Sequence, residues 1–246
     1  MGPSVDPAED DIQTRVKSLT GFEIVGPPGA GKTTLALELR DRHNQFHLRQ
    51  PPDWKKIRYL PFYVKNSLAV TPAIASLTFG SRGHWLNHIE FFWLVFLNGW
   101  HRQLTRPGPD SGLIILDQGP VYMLSQMILC RERQMMNPLF KKWWRKILDK
   151  WGQVLEIVVR LDASDTVLAQ RINTRGKYHI IKGASLPQTR DFLEQHRVAL
   201  DQAMAQLRAD RCTPAVVCFD TGRQSLNEIA AQLYDSLISI RESRAR

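Results

Sequence analysis

Apolar residues in this chain gather in short β-leaning runs, separated by longer stretches with the spacing of helices. Phe22–Val25, Leu113–Leu116, Val154–Leu161 and Ala215–Phe219 are the clear runs. Each is short and rich in Val, Ile, Leu or Phe, as buried strands are. Helices are expected over Lys32 to about His43, Trp85–Leu104, Val121–Met135, Lys141–Trp151, Ala163–Thr174, Thr189–Ala209 and Ser225–Arg241. Gly176–Pro187 reads as a loop. Residues 50–80 carry Pro51, Pro52, Pro61 and Pro72, which predicts broken structure, with a fifth strand near Ile57–Tyr63. Strands alternating with helices require a parallel sheet covered on both faces. The expected fold is α/β: a three-layer α/β/α sandwich with a mostly parallel five-stranded sheet, a helical region and a lid.

Composition narrows the picture. The 246 residues suffice for one α/β core, so 19–246 is expected to be one domain behind an acidic tail, 1–18. Lysine and arginine number 33 against 24 acids, a formal charge of +9. Such a surplus suits phosphorylated substrates, nucleic acid or an ordinary solvated surface. Cys130, Cys212 and Cys218 are odd in number and form no CxxC pair, which argues against a disulfide framework or a zinc site. The N-terminus has neither a basic nor an apolar signal region, and Asp6 breaks the myristoylation pattern that Gly2 begins. The longest apolar run, Phe91–Leu97, is far short of the ~20 residues that span a bilayer. A cytoplasmic protein without a membrane partner is expected.

The candidate chemistry begins after the first run. Gly26-Pro27-Pro28-Gly29-Ala30-Gly31-Lys32-Thr33 matches G-x-x-x-x-G-K-[ST] at every fixed position, with a strand before it and a helix after. Phosphate oxygens need several backbone N–H groups converging on one point, and glycines let the chain wrap that closely. The following helix aims its positive end at the anion. A nucleoside triphosphate, ATP with Mg²⁺, is therefore the expected cofactor. Residues Gly26 to Thr34 would hold it, with Lys32 on the β- and γ-phosphates and the Thr33 hydroxyl on Mg²⁺.

Ligands in this architecture bind beyond the carboxyl ends of the strands. Asp117 ends one strand and is the candidate for holding Mg²⁺ or for acting as base. Asp162 ends the next and is expected to be structural. Arg171 and Arg175, four apart at a helix end, share a face, and a closing lid could deliver them to the developing phosphoryl charge.

Taken together these residues resemble the P-loop nucleoside and nucleotide kinases, most nearly thymidylate kinase and its deoxynucleoside kinase relatives. Leu116-Asp117-Gln118-Gly119 is similar to their strand-end Asp-Arg motif. Val158–Asp162 followed by Val167–Arg175 is similar to their strand, Leu-Asp, helix and arginine lid. Val216–Leu237 looks like their last strand and helix, with Asp220-Thr221-Gly222 at the base-contacting loop. Gln118 departs from the pattern, standing where those kinases carry arginine. The resemblance implies Lys32, Asp117, Arg171 and Arg175 as catalytic residues, Arg171 also as a donor contact, and Thr221–Arg223 as a border to the donor base.

The acceptor region is expected over about 45–110 and the lid over about 171–188. His84, Trp85, His88 and Trp93 could stack a flat ring; Arg58, Arg82 and Arg102 could meet an acceptor phosphate. The expected partners are a triphosphate donor and a small-molecule acceptor, either a nucleoside or nucleotide or another hydroxyl compound; a homodimer is left open. The alternative is an ATPase switch or polynucleotide kinase using the basic helix Lys141–Trp151 against nucleic acid.

Overall fold

β1 (Gly21–Val25) is buried along its whole length, and the rest of the molecule is organised on it. The computed structural model describes residues 21–53, 55–78, 86–104, 113–209 and 213–244; the acidic tail, Arg82, His84, Trp85 and Cys212 lie outside them. From β1 the chain runs through α1 (Lys32–Arg42), β2 (Phe46–Arg49), α2 (Leu60–Thr78), α3 (His88–Gly99) and α4 (His101–Leu104). It continues through β3 (Leu113–Leu116), α5 (Pro120–Met135), α6 (Pro138–Gly152), β4 (Leu155–Asp162), α7 (Asp165–Thr174), α8 (Leu186–Ala209), β5 (Ala215–Asp220) and α9 (Leu226–Arg244).

The five strands are parallel, in the order β2-β3-β1-β4-β5. Successive strand residues point to opposite faces, and the core divides accordingly. Phe22, Ile24, Ile115 and Val159 meet α1, α7 and α9 on one face. Val25, Leu116 and Val158 meet α2, α3, α5, α6 and α8 on the other. This is the expected three-layer sandwich. The basic helix α6 buries Phe140, Trp144, Ile147, Leu148 and Trp151 and leaves Lys141, Lys142, Arg145 and Lys146 exposed. Among the described residues no helix is long and apolar enough to cross a membrane.

Two expectations are corrected here. The fifth strand is Phe46–Arg49, not Ile57–Tyr63. β2 is an edge strand whose buried contribution is chiefly Phe46, packed edge-on to Phe22 at 5.8 Å, so its apolar signal was too thin to read. Ile57–Tyr59 is a single 3₁₀ turn leading into the nineteen-residue α2. Prolines do not break this helix. Pro61 lies in its first turn, where a missing N–H costs nothing. Pro72 lies inside it, and burial of Val70, Ala73 and Leu77 offsets a penalty of roughly 3 kcal/mol.

The expected helix Trp85–Leu104 is divided at Trp100 into α3 and α4. Asn87 and Glu90 form a reciprocal capping box at the start of α3. Glu90 also accepts from the buried Arg131, Nε to Oε1 at 2.9 Å and Nη2 to Oε2 at 2.8 Å, where α5 leaves helical geometry. One carboxylate thus orders the start of α3 and the kink of α5.

His101 is buried against Trp151, and among the described residues its Nδ1 has no hydrogen-bond partner. Burial lowers its pKa to about 4, helped by the charges of Lys150 and Arg102. Between pH 6.5 and about 4 the unfolded chain therefore holds a proton on this ring that the folded chain does not. Stability contributed by the neutral ring is complete above this window and is lost as pH falls through it. We expect His101→Leu to melt closer to, or above, the parent protein as pH drops from 7 to 4, read by thermal denaturation at several pH values. A gap independent of pH would contradict this.

Candidate active site

The site is set by a change of direction in the sheet. From β1 the chain crosses to the β2 edge; from β3 and β4 it crosses toward β5. Loops leaving neighbouring carboxyl ends diverge there and open a crevice. The loop Gly26–Gly31 and the turn after Leu116 form its two lips.

Gly26 has φ 150°, and a Cβ there would stand 2.1 Å from the Leu161 carbonyl oxygen. Only glycine lets the loop close onto β4. At its other end Gly31, at φ 91°, begins α1 with no side-chain cap and no acid in the first turn. The first-turn N–H groups and the positive helix end therefore face the crevice, the arrangement that binds anions. The Lys32 ammonium arches back over the loop, donating to the carbonyls of Gly26 at 2.8 Å and Pro27 at 3.0 Å. Burial lowers its pKa to about 8; the charge of Asp117 acts to raise it and that of Arg175 to lower it. A polyphosphate would supply the negative charge that this ammonium lacks.

The crevice holds about 630 Å³, and its lining includes Lys32, Thr33, Asp117, Arg171, Arg175 and His179. Thr33 and Thr34 are exposed at its floor. Asp117 is half-buried; its Oδ2 accepts from Gln50 Nε2 at 3.3 Å, and its backbone N–H donates to the Arg49 carbonyl at 3.1 Å. Glu23 lies beneath it, wholly buried. Burial pushes its carboxyl up to about 8, opposed by hydrogen bonds from the backbone of Tyr122 and Val121 and aided by the charge of Asp117.

Arg171 and Arg175 have different surroundings. Arg171 Nη1 donates to Thr221 Oγ1 at 2.8 Å and to the Gly29 carbonyl at 3.4 Å, and Nη2 donates to the Thr221 carbonyl at 2.8 Å. It ties α7 to the phosphate-type loop and to the loop after β5. α7 ends at Thr174, so Arg175 stands just off the helix in an extended conformation, exposed to solvent. Asp162 is held by Arg197, Nε to Oδ2 at 2.9 Å and Nη2 to Oδ1 at 3.1 Å.

A second space of about 490 Å³ adjoins the crevice and shares Pro28, Lys32, Tyr122 and His179 with it. α5 contributes Gln126 to its wall; α8 contributes Phe192 and His196, whose rings lie 4.4 Å apart. Burial, then the charges of Lys32 and His179, lowers the His196 pKa to about 4, and burial lowers that of His179 as well.

No family model matches the chain, and no curated protein matches it. Among solved structures it is similar to thymidylate kinase from Candida albicans, with a TM-score of 0.53, 13% identity, and 91% of this chain and 93% of that one covered. It is also similar to deoxyadenosine kinase from M. mycoides with dCMP and dCDP bound, with a TM-score of 0.50, 15% identity, and 90% of this chain and 100% of that one covered. The chain has the P-loop nucleotide-kinase fold.

Within this P-loop kinase fold, Lys32, Thr33, Thr34, Asp117, Arg171 and Arg175 all reach one crevice although they come from three separate parts of the chain. The adjoining space is lined by the loop Gly26–Lys32, α5, the segment after α7, and α8. From the region 45–110, Gln50 touches Asp117. Arg58 lies over the Tyr59 ring, and Trp93 packs on the core. Sequence reading missed Glu23, Gln50, Tyr122 and His179. Glu23 alone left a trace, as an acid inside an otherwise apolar strand.

Proposed function

We propose that this P-loop kinase fold is a working phosphotransferase. In this reading it holds Mg²⁺-ATP in the 630 Å³ crevice and transfers the γ-phosphate to a small acceptor in the adjoining 490 Å³ space. The observation that carries the reading is the uncapped start of α1, which opens with Lys32 onto the same crevice as the strand-end Asp117.

Each residue then has a role. The loop N–H groups and Lys32 neutralise the β- and γ-phosphates, where charge is retained and spread during transfer. Arg175 is free of the helix to approach the γ-phosphate. Arg171 holds the Thr221 loop, which would border the donor base. Asp117 accepts the proton of the acceptor hydroxyl or orients water bound to the metal. The hydroxyl oxygen forms a bond to the γ-phosphorus, and the bond to the β–γ bridging oxygen breaks, with its electron pair leaving on ADP. Magnesium is a hard cation that takes one or two protein oxygens beside phosphates and water, and the Thr33 hydroxyl with the Asp117 carboxylate is a donor set of that kind. When bound it would neutralise phosphate charge.

The acceptor is a nucleoside, a nucleotide or another hydroxyl compound. The rings of Phe192 and His196, which line the space together with Gln126, support a flat acceptor with a polar edge. The test is to incubate the protein with γ-labelled ATP, Mg²⁺ and a broad metabolite pool and identify the species that gains label. We expect one small hydroxyl compound. Label appearing only on nucleic acid, with steep salt dependence, would move the function to the exposed lysines of α6.

A further inference from the structure

The turn that presents Asp117 to the crevice is held by an unusual set of contacts. Gln118, the next residue, has φ 56°; among the described residues it is the non-glycine residue with positive φ. That left-handed conformation costs an ordinary side chain roughly 1–2 kcal/mol and persists only where the surroundings impose it. Gly119 follows. A Cβ on it would stand 2.6 Å from Glu23 Cδ and 2.7 Å from Glu23 Oε2. Pro120 then opens α5, whose N-cap position makes no side-chain cap bond.

The missing cap is supplied from another strand. Glu23, in the middle of β1, has no exposed surface, and its two oxygens accept the first N–H groups of α5. Oε2 takes Val121 N at 2.8 Å and Oε1 takes Tyr122 N at 2.8 Å. At the other end of the turn, Asp117 N is bonded to the Arg49 carbonyl. The segment 117–122 is thus pinned at both ends, and its strained residue lies between the pins. Asp117, Gln118 and Tyr122 all line the crevice.

From this geometry we propose that Glu23 is a positioning residue for phosphoryl transfer, a buried clamp that fixes where the Asp117 carboxylate and the Tyr122 ring stand relative to Lys32. The inference rests on the phosphotransferase reading and adds a residue that touches neither donor nor acceptor. Structural capping alone would be served by any N-cap on Gly119. A carboxyl group reaching across from β1 does something more: it ties the α5 start to the strand that launches the phosphate loop, so the two lips of the crevice are set by one side chain.

The experiment uses the full chain with Glu23→Gln, Glu23→Asp and Glu23→Ala. Gln keeps the length but turns an NH₂ group toward a backbone N–H, so one of the two bonds is lost; Asp keeps the carboxyl group but is too short to hold both. We expect kcat to fall about 10- to 100-fold in Glu23→Gln, the scale on which a misplacement of about 1 Å acts. Mg²⁺-ATP affinity and acceptor KM should stay within about threefold. Amide exchange at 117–122 should accelerate while exchange in α1 and β1 does not. Glu23→Asp should recover part of the loss relative to Glu23→Ala. If Ala fails to fold, the comparison of Gln with Asp remains.

Unchanged kcat together with unchanged exchange at 117–122 would overturn the proposal. So would a variant in which KM, nucleotide affinity and melting temperature all deteriorate in step with kcat. If the parent binds Mg²⁺-ATP and transfers phosphate while Glu23→Gln matches it, the clamp alone is lost. If the parent binds no Mg²⁺-nucleotide, the phosphotransferase reading is lost, and the exchange data still decide whether Glu23 holds the turn.

Discussion

Lys32→Ala is expected to abolish measurable phosphate transfer, by roughly 10³-fold or more, and to leave the protein folded. The reason lies in where the ammonium sits. It spans the loop between the Gly26 and Pro27 carbonyls, at the opening onto which the first turn of α1 points its N–H groups. In a buried crevice a fixed cation placed where phosphate charge develops acts without reorganisation, and losing one such donor commonly costs roughly 10²–10³-fold. Here the lost group carries full charge. Stability should change little, because burial disfavours the Lys32 charge and lowers its pKa to about 8, so the folded state gains little from it. Transfer is measured with γ-labelled ATP, nucleotide affinity by calorimetry and folding by thermal melting. Turnover equal to the parent's would remove the loop from the mechanism.

Asp117→Asn should lower kcat by about 10²–10⁴-fold while changing donor affinity only slightly. Asparagine is nearly isosteric, and its Oδ1 can still accept from Gln50, so the turn at 117–119 should survive the change. What is lost is the negative charge that would take the acceptor proton or orient metal-bound water. In the proposed reading, binding of the triphosphate depends mainly on the loop and Lys32, on the opposite lip. A steady-state split into kcat and KM, with ATP affinity measured independently, separates the two effects. If only ATP binding weakens, Asp117 serves the donor and the proton acceptor lies elsewhere.

These two predictions differ in how legible their residues were. Lys32 was readable because its chemistry is local: eight consecutive residues specify a strand end, a turn and a helix start, and the physical reasons for each lie within the same stretch. Asp117 was readable because a short apolar run ended on it. Arg171 was readable only as half of a pair on a helix end. Its bonds to Thr221 and Gly29 separate it from Arg175, and those partners lie fifty residues later and 142 residues earlier in the chain.

The second space shows a different case. The stretch 45–110 attracted attention through its aromatic residues, and most of the apolar side chains of α2 and α3 pack into the core. The space beside the crevice is walled by α5 and α8, to which the sequence assigned no chemistry. β2 was overlooked because an edge strand with one buried face carries too few apolar residues to stand out. α2 was overlooked because prolines were read as breaks, although Pro61 lies in the first turn and burial compensates for Pro72.

The amino-acid sequence alone thus determined the phosphate loop, most of the strands and the alternation that makes the sheet parallel. These depend on spacing between near neighbours and on local turn chemistry. Only the tertiary structure decided which strands lie side by side, and with that the meeting of Glu23 with Tyr122 across ninety-nine positions of sequence. A side-chain periodicity records which face of a strand is buried; it carries no record of which strand lies next to it, and the candidate site is made from that adjacency.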